Sequence, residues 1–463
     1  MNYSNTNENP MAYKPVNKLL YSLAVPAVIA NVVNSLYNIV DQIFIGQGVG
    51  FLGNAATSIA FPLTTICMAI GLMTGIGAAS NFNLELGRGN SKKAKAVAGT
   101  AAGMLLIIGV VLCILVRIFL KPLMILFGAT DQIMNYAMEY TGITSYGIPF
   151  LLFSTGINPL VRADGSSTYS MMAIVISAIL NTILDPIFIF VFDMGIAGAA
   201  WATVISQILS AIILVMYFPR FKSVKFNKDD FIPRWNEVIT IVSLGITSFV
   251  FQFSNLIIQI TSNNLLKIYG AKSVYGSDIA IAIAGIVAKV NVIFISIVIG
   301  MVQGAQPICG YNYGAKKFTR VRETVKLLLK TNFIISLVAF AIFQIFPRQI
   351  ILIFGSGNDL YFEFGIRYMR IFLALMFLNG IQISISTFFP AIGKAREGAL
   401  LALSKQMIIL LPLMVILPKF FGLDGIIYAA PTADLLTFIL AVFFMTREMK
   451  KMPKYDEAVI ETN

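Results

Sequence analysis

Two aspartates, Asp41 and Asp185, stand beside long apolar runs and are the residues whose surroundings best suit ion chemistry. A charge in a hydrophobic segment is costly to bury, so such a residue usually belongs to an ion or substrate pathway. Each aspartate is preceded by amide side chains at the spacing of a helical turn. Each therefore marks a candidate cation or proton site.

The first candidate lies in the segment between Pro26 and Asp41. Steps of four and three residues place Asn34, Asn38 and Asp41 on one face of a helix. This polar stripe should face a watery cavity, with Asn34 in the coupling site and Asn38 lining the cavity. Pro26 removes one backbone hydrogen bond and crowds the preceding turn, which predicts a hinge. In the alternative interpretation, Asp41 only ends its helix at the outer interface.

The second candidate combines Asn181 and Asp185, which are four residues apart and share a helical face. Pro186 has no amide to offer the carbonyl one turn earlier, so that oxygen stays free. Thr203 and Gln207, also four apart, offer further oxygens from the next helix. Hard cations prefer oxygen ligands, so two carboxylates with these neutral groups could hold either sodium or a proton. In the alternative interpretation, Asp185 is an isolated aspartate at a helix end.

The residue inventory excludes several kinds of chemistry. The chain has no histidine, and its three cysteines, Cys67, Cys113 and Cys309, lie in apolar runs without short spacing. Histidine catalysis, histidine metal sites, zinc knuckles and disulfide frameworks are therefore excluded. An intramembrane acyl- or glycosyltransferase would need a catalytic histidine or clustered acids. We expect no enzyme, and no cofactor other than a coupling Na⁺ or H⁺.

Composition places the chain in a membrane. Hydrophobic residues make up 57% of the 463 residues and charged residues 12%, whereas a soluble domain carries about a quarter charged residues. Twelve segments come near or exceed the roughly 20 residues that cross a bilayer, which predicts twelve transmembrane helices. They lie at 19–40, 42–84, 96–116, 140–161, 165–184, 194–219, 238–266 and 371–393 without charges, and at about 279–307, 331–347, 398–418 and 425–446 with single or closely flanking charges.

The basic residues give the orientation. Of 34 lysines and arginines, 25 fall in the two tails and in alternate connections, 8 in the opposite connections, and Lys289 inside a span. Because basic residues accumulate on the cytoplasmic side, both termini are predicted to be cytoplasmic. The formal charge of +12 is thus explained by topology, and we expect the bilayer rather than nucleic acid as partner.

Glycine patterns in the first half of the chain recur in the second half. The offsets between matching positions stay between 227 and 229 residues. Small residues at such spacing allow helices to approach closely, which is the expected role of Gly300 and Gly304. The matching patterns are Gly71-x-x-x-Gly75 with Gly300-x-x-x-Gly304, Ala163-x-Gly165 with Ala391-x-Gly393, and Gly195-x-x-Gly198 with Gly422-x-x-Gly425.

The repeat defines the expected fold, an all-α membrane protein with two six-helix bundles. An even number of crossings starts both units on the same face, so the pseudo-two-fold axis runs along the membrane normal, and the crevice between the bundles is the natural substrate site. The expected divisions are a polar tail at 1–15, an N-terminal lobe at 16–218, a cytoplasmic linker at 219–235, a C-terminal lobe at 236–447 and a tail at 448–463.

Several of these features together resemble the multidrug and toxic compound extrusion family of cation-coupled exporters. They are Val40-Asp41-Gln42, the segment from Asn181 to Pro186, the twelve spans and the repeated glycines, and the resemblance extends from about residue 15 to residue 447. It implies that Asp41, Asp185, Asn181 and Thr203 form a cation or proton site in the N-terminal lobe. It also implies that the first helix bends at Pro26 in response to protonation of Asp41.

The C-terminal half departs from one branch of that family, which carries acids in the seventh helix. The seventh span here holds amides, including Gln252 and Asn255, but no carboxylate, so we expect no second cation site. Asp434 and Lys289 stand deep in this half, and they either approach each other as a pair or stay apart, with Asp434 bonded to hydroxyls and Lys289 reaching the interface. The candidate residues of the substrate cavity are Asn38, Asn158, Gln252, Asn255, Gln303 and Asp434.

These features predict a secondary exporter of the cell membrane that exchanges hydrophobic or cationic organic compounds for Na⁺ or H⁺ and acts as a monomer. The alternative within the same architecture is a flippase for lipid-linked saccharides. A flippase would favour a strongly basic cavity, and Lys289 is the lysine that the sequence places within the deep spans.

Overall fold

The computed structural model describes residues 9–354 and 358–456, which are helical and contain no strand. Most of the predicted tail 1–15 and the end of the tail 448–463 lie outside the described residues. The first half of the chain forms α1 (Val16–Gly48), α2 (Phe51–Gly87), α3 (Ser91–Ile118), α4 (Leu120–Leu126), α5 (Asp131–Thr144), α6 (Ile148–Ala163), α7 (Ser167–Pro186) and α8 (Gly195–Val215). The second half forms α9 (Trp235–Gly270), α10 (Gly276–Gly314), α11 (Phe318–Ile345), α12 (Pro347–Phe354), α13 (Asp359–Phe372), α14 (Met376–Ala391), α15 (Ala395–Leu403), α16 (Leu411–Phe421) and α17 (Leu423–Lys451).

Within the described residues, ten helices are long and apolar enough to cross a membrane, and the bent pair α13 and α14 would be an eleventh. Two of the ten contain π-helical segments, Ile187–Val191 after α7 and Ser404–Leu410 between α15 and α16. The predicted span at 140–161 is not among these ten helices. It is divided between α5 and α6, which are joined by the 3-10 turn Ser145–Gly147. Length and composition thus confirm an all-helical membrane protein.

The predicted span at 371–393 is not one straight helix. Its path begins earlier, in α13, and bends by 44° before α14. At the bend, the Gln344 side chain donates to the Arg370 carbonyl at 2.8 Å, and the Arg370 Nε donates back to the Gln344 carbonyl at 3.2 Å. The backbone oxygen near the end of α13 therefore has a donor from α11, which satisfies it where the helix stops.

The buried apolar side chains form separate cores in the two halves. One core gathers residues of α2, α3, α6 and α8 around Phe82 and Leu105, and another gathers residues of α10, α13 and α17 around Ile283 and Phe364. Each half therefore has a core of its own, and a further cluster around Leu20 and Ile308 lies between α1 and α10. The two halves meet mainly where α1 lies on α10 and α2 lies on α9.

Glycines allow these two contacts to be close. A Cβ at Gly300 or Gly304 of α10 would meet the backbone of α1 at Val28 or Ala24. A Cβ at Gly77 of α2 would meet the Ile241 carbonyl of α9. The predicted packing role of Gly300 and Gly304 is confirmed, because no larger residue fits at this helix separation.

The contacts between the halves lie toward one end of the bundle, which we call the linker end because the connection 219–235 lies there. Asn31 donates to Gln303 at 3.0 Å, and the hydroxyls of Ser35 and Ser296 lie 2.7 Å apart. One or two turns further along α1 and α10, Asn38 and Lys289 are exposed. Both lie seven residues from a contact residue and so share its helical face, which indicates that the helices separate toward the opposite, far end; we call the space between the halves there the cleft.

The segment before α1 strengthens the closed linker end. Met11 is buried against α10 and α11, and its carbonyl accepts hydrogen bonds from Asn312 and Arg320, both at 3.0 Å. Arg320 also donates to the Lys14 carbonyl at 2.7 Å. The start of the first half is thus tied to the second half.

The connection 219–235, predicted as a polar linker, is a folded part of the N-terminal half. Phe218, Phe221, Phe226 and Phe231 form a ring cluster with centroids 5.0 to 5.7 Å apart. A Cβ at Gly103 of α3 would meet the Phe231 carbonyl, so the connection lies directly on α3. Its lysines make the segment look like a polar linker in the sequence. Its aromatic residues nevertheless bury apolar surface against α3, which stabilises a folded connection.

Asp230 fixes the end of this connection. Its carboxylate pairs with Lys95 at 3.0 Å and with Arg234 at 4.0 Å, and it accepts the Asn227 amide at 2.7 Å. Burial would raise the pKa of Asp230, but the Asn227 amide and the two cations outweigh burial and lower it. The carboxylate is therefore ionised at neutral pH and holds the connection against α3.

Asp164 should be the main polar anchor of the connection. Its buried carboxylate accepts the Tyr217 hydroxyl at 2.7 Å and the amides of Lys222 and Ser223 at 2.7 and 3.0 Å. Asp164→Ala leaves three donors without an acceptor, and we expect a loss of about 2–4 kcal/mol of stability, measured as a lower thermal unfolding midpoint of the purified protein. The control Asp229→Ala, at an exposed linker aspartate, should change stability by less than about 0.5 kcal/mol. Equal midpoints for the two variants would contradict the anchor.

Candidate cation site in the N-terminal half

Four elements of the first half bring the predicted coupling residues together. α1 packs on α7 and touches α8, and α5 packs on α8. Asp41 of α1 is 8% exposed, Asp185 of α7 is 0% exposed and Asn181 is 2% exposed. Asp41 therefore does not simply end a helix at an interface, and Asp185 is not an isolated helix-end group.

The two carboxyl groups face each other within hydrogen-bonding range. Asn181 donates its side-chain amide to Asp185 Oδ1 at 3.4 Å, and Gln42 donates to Asp41 Oδ2 at 3.2 Å. Thr57 of α2 donates to Gln42 Oε1 at 3.1 Å and so orients that amide. One oxygen of each carboxylate is thus held, and the other is left for the partner across the gap.

The remaining oxygens suit a small cation. Asp41 Oδ1, Asp185 Oδ2 and Asn181 Oδ1 are buried and have no hydrogen-bond partner among the described residues. Two ionised carboxylates can only accept, so their approach needs a proton or a cation between them. Among the described residues, no three His, Cys, Asp or Glu side chains form a metal cluster. The donor set is carboxylate and amide oxygen, which fits Na⁺ or H⁺.

Two tyrosines that were not among the predicted site residues complete the surroundings. Tyr37 and Tyr140 lie close enough to Asp41 and Asp185 to interact with them electrostatically. Thr203 of α8 reaches the site through Tyr140, with which it shares a hydrogen bond. Tyr37 precedes Asp41 by one helical turn, a spacing that could have identified it. Tyr140 is distant in sequence, and only the packing of α5 brings it here.

The other two residues assigned to the coupling machinery lie further along α1. Asn34 is half-buried and sits seven residues before Asp41, about 10 Å along the helix axis. Pro26 lies inside α1, which runs without a break from Val16 to Gly48. Coupling through Asn34 and bending at Pro26 stay predictions.

Three predicted cavity residues lie on α1 and α9, the helices that border the cleft. Asn38 is exposed on α1, seven residues after Asn31, which contacts α10. Gln252 lies on α9, seven residues after Gly245, which packs on α2. Asn255 is exposed and accepts the Gln406 amide at 3.0 Å. Gln303, in contrast, is engaged with Asn31 in the closed contact.

Asn158 does not line the cleft as predicted. It is 5% exposed, donates to the Ser170 carbonyl at 3.1 Å and accepts the Ser170 hydroxyl at 2.5 Å and the Arg162 guanidinium. Arg162, one of the 25 basic residues predicted to lie in the tails and alternate connections, is itself only 6% exposed. The two side chains form an internal hydrogen-bond node between α6 and α7, because Arg162 belongs to the last turn of α6 rather than to a loop.

Asp434 pairs with Lys405, and a pairing with Lys289 is therefore wrong. The Lys405 ammonium lies 3.2 Å from Asp434 Oδ1, whereas Lys289 is exposed on the α10 face that leads into the cleft. Lys405 was one of the 25 basic residues predicted to lie in the tails and alternate connections. In the structure it lies inside the apolar stretch Ala395–Phe421, so Lys289 is not the only lysine in the deep spans.

Comparisons with known proteins identify the family. The family model MatE matches residues 26–187 and 253–416. The multidrug export protein MepA of Staphylococcus haemolyticus is 25% identical over 92% of this chain and 93% of its own, and MepA of Staphylococcus aureus (strain MSSA476) is 26% identical over 93% and 94%.

A solved structure described as the outward-facing conformation of a multidrug resistance MATE family transporter has a similar fold. It is 22% identical and covers 96% of this chain and 98% of its own, with a TM-score of 0.89. This likeness concerns the fold. Together with the family match over both halves, it confirms the resemblance seen in the sequence: the chain belongs to the MatE family, the multidrug and toxic compound extrusion transporters.

Proposed function

We propose that this protein is a secondary active multidrug exporter that moves hydrophobic or cationic organic compounds out of the cell in exchange for Na⁺ or H⁺. The observation that carries the proposal is the buried approach of Asp41 and Asp185 with unpartnered oxygens on both. The relatives named multidrug export proteins support the substrate class. The site binds and releases a small cation and performs no bond chemistry, which fits a transporter rather than an enzyme.

The proposed architecture has twelve transmembrane crossings in two six-helix bundles related by an axis along the membrane normal. Each half supplies six crossings if α5 with α6, and α13 with α14, each count as one. The basic connections gather at the linker end, where Asp230 meets Lys95 and Met11 meets Arg320. By the positive-inside rule this end is cytoplasmic, as are both termini. We expect a multi-pass monomer in the cell membrane.

The structure then corresponds to a state that is closed to the cytoplasm and open outward. The Asn31–Gln303 and Ser35–Ser296 contacts close the cytoplasmic side, and the exposed amides of Asn38 and Asn255 line the outer cleft. In this state a cation from outside can reach Asp41, which retains 8% exposure.

Exchange follows because the ion and the drug favour opposite conformations of the protein. A cation or proton between Asp41 and Asp185 removes their repulsion, which draws α1 and α7 together and favours release of the drug outward. Drug binding favours the opposite arrangement, and reciprocity requires each ligand to weaken the other. Alternating access needs only a rocking of the two bundles.

The lipid-linked saccharide flippase is the weaker candidate. An acidic pyrophosphate headgroup needs several basic side chains in the cavity. Lys289 is the basic side chain that we place in the cleft, where its neighbours are amides, and the charge of Lys405 is neutralised by Asp434. This arrangement suits neutral or cationic substrates.

The coupling ion can be identified by ethidium efflux from vesicles. An imposed sodium gradient and an imposed pH gradient are tested separately, and we expect at least one of them to drive efflux. Because Na⁺ and H⁺ suit the same oxygens, a response to both is compatible with the site. Absence of efflux under either gradient, with protein present in the vesicles, would refute cation coupling.

Asp41→Asn and Asp185→Asn should each abolish drug resistance in cells while the protein still reaches the membrane. The amide keeps the shape of the side chain but removes the charge that holds the cation. The matched control Asp229→Asn changes an exposed linker aspartate and should keep normal resistance. Ethidium export and membrane protein levels are measured in parallel, and normal export by Asp41→Asn would defeat the assignment.

The cytoplasmic closure can be locked by a disulfide. The hydroxyls of Ser35 and Ser296 lie 2.7 Å apart, so Ser35→Cys with Ser296→Cys, in a variant lacking the three native cysteines, should cross-link. Oxidation is expected to stop ethidium export and reduction to restore it, since the bundles must separate at this point. Each single cysteine variant serves as the control. A cross-linked protein that exports at the full rate would exclude the rocking mechanism.

A further inference from the structure

The C-terminal half contains a charged cluster within its apolar stretches Ala395–Phe421 and Leu423–Lys451 that ion exchange at the N-terminal site does not use. Lys405 contacts Asp434 Oδ1 at 3.2 Å, Gln382 Oε1 at 3.1 Å and the Asn379 side-chain oxygen. Asn379 also donates to Asp434 Oδ2 at 3.0 Å. The three ammonium hydrogens and both carboxylate oxygens therefore all have partners.

The two charged side chains of the cluster are largely buried. The side chains of Lys405 and Asp434 are 14% and 8% exposed. Asp434 lies near the middle of α17, eleven residues from its start. At such a depth an isolated charge is expensive, and a buried pair is tolerated only when its remaining donors and acceptors are satisfied. Asn379 and Gln382 meet that condition.

The local backbone is shaped for this contact. Lys405 lies in the π-helical segment Ser404–Leu410, and the next residue, Gln406, donates to Asn255 of α9 at 3.0 Å. A regular α-helix turns successive side chains by about 100°, whereas a π-segment widens the turn and often marks a functional site. Two successive polar side chains thus both serve the interior of the C-terminal half.

The internal repeat shows that this charge pair has no counterpart in the first half. The offset of 228 residues around Gly165 and Gly393 pairs Lys405 with Ser177, and the offset of 227 around Gly198 and Gly425 pairs Asp434 with Gln207. The equivalent positions are therefore neutral. The first half keeps two carboxylates with bare oxygens, and the second half keeps one carboxylate with its own cation.

We propose that Lys405 is a tethered cation that occupies, on Asp434, the place a coupling ion would otherwise take. The Asp434 carboxylate is then neutralised by Lys405 at every stage of transport, and the C-terminal half needs no ion from solution. Ion coupling is confined to Asp41 and Asp185. This inference rests on the proposed antiport function and adds to it. Removing the Lys405 ammonium should convert Asp434 into a second cation site, with Asn379 and Gln382 supplying neutral oxygens.

The experiment uses a background in which Asp41 and Asp185 are both changed to Asn, so that the N-terminal site gives no ion response. Thermal unfolding midpoints of the purified full-length protein are measured against NaCl, with KCl keeping the ionic strength constant, and against pH. With Lys405 present, the midpoint should not respond to the coupling ion. In Lys405→Met, it should rise with sodium or with falling pH, because the cation binds only the folded form.

Adding Asp434→Asn to Lys405→Met should abolish the new response, and Lys405→Arg, which keeps a tethered cation, should not create one. Absence of an ion response in Lys405→Met overturns the proposal, as does an Asp434-dependent response while Lys405 is present. If Lys405→Met alone does not fold, recovery in the neutral double variant supports the proposal, and failure of both overturns it. Failure of the antiport function itself would appear separately, as normal export by Asp41→Asn.

Discussion

The structure depends on one costly contact: two carboxylates, Asp41 and Asp185, buried against each other inside a hydrophobic bundle. Like charges at this distance repel, and the low dielectric of the surroundings strengthens the repulsion. Two ionised carboxylates cannot share this contact without a proton or cation between them, so under the proposed function the packing of α1 on α7 responds to ion binding. α1 also carries Asn31 and Ser35, which close the linker end against α10. A single helix therefore joins the ion site to the contact between the halves, and a shift of α1 would bias both together.

The two halves share a scaffold but not an electrostatic design. The repeated glycines recur at nearly constant offsets: those of the Gly-x-x-x-Gly patterns, with Gly198 and Gly425, allow close helix packing in both halves, whereas the other four have positive φ. The polar interiors differ, because the first half leaves carboxylate oxygens without partners and the second half satisfies its carboxylate with Lys405. An asymmetric transporter can thus be built on a symmetric frame.

The polar segments outside the bundle also decide which parts can move. The connection 219–235 is held by Asp164, Asp230 and its aromatic cluster, and it moves with the N-terminal half. In the proposed rocking mechanism the chain would therefore flex after Arg234, whose amide is still bonded to the Thr100 hydroxyl at 3.3 Å. The segment around Met11 crosses to the other half. Opening of the linker end has to break these contacts as well as those of α1.

The sequence by itself determined the membrane class, the helical repeat and the pairing of Asn181 with Asp185, because composition and the 3.6-residue period act within single segments. It also singled out Asp41, which the structure places against Asp185, although not the neighbouring side chains of Gln42 and Tyr37. Only the tertiary structure decided that Asp434 meets Lys405 rather than Lys289, that Asn158 and Arg162 are internal, and that Tyr140 lies beside Asp41 and Asp185. The physical reason is that helical spacing fixes which side chains share a face, whereas the rotation and neighbours of each helix are set by packing against the whole bundle.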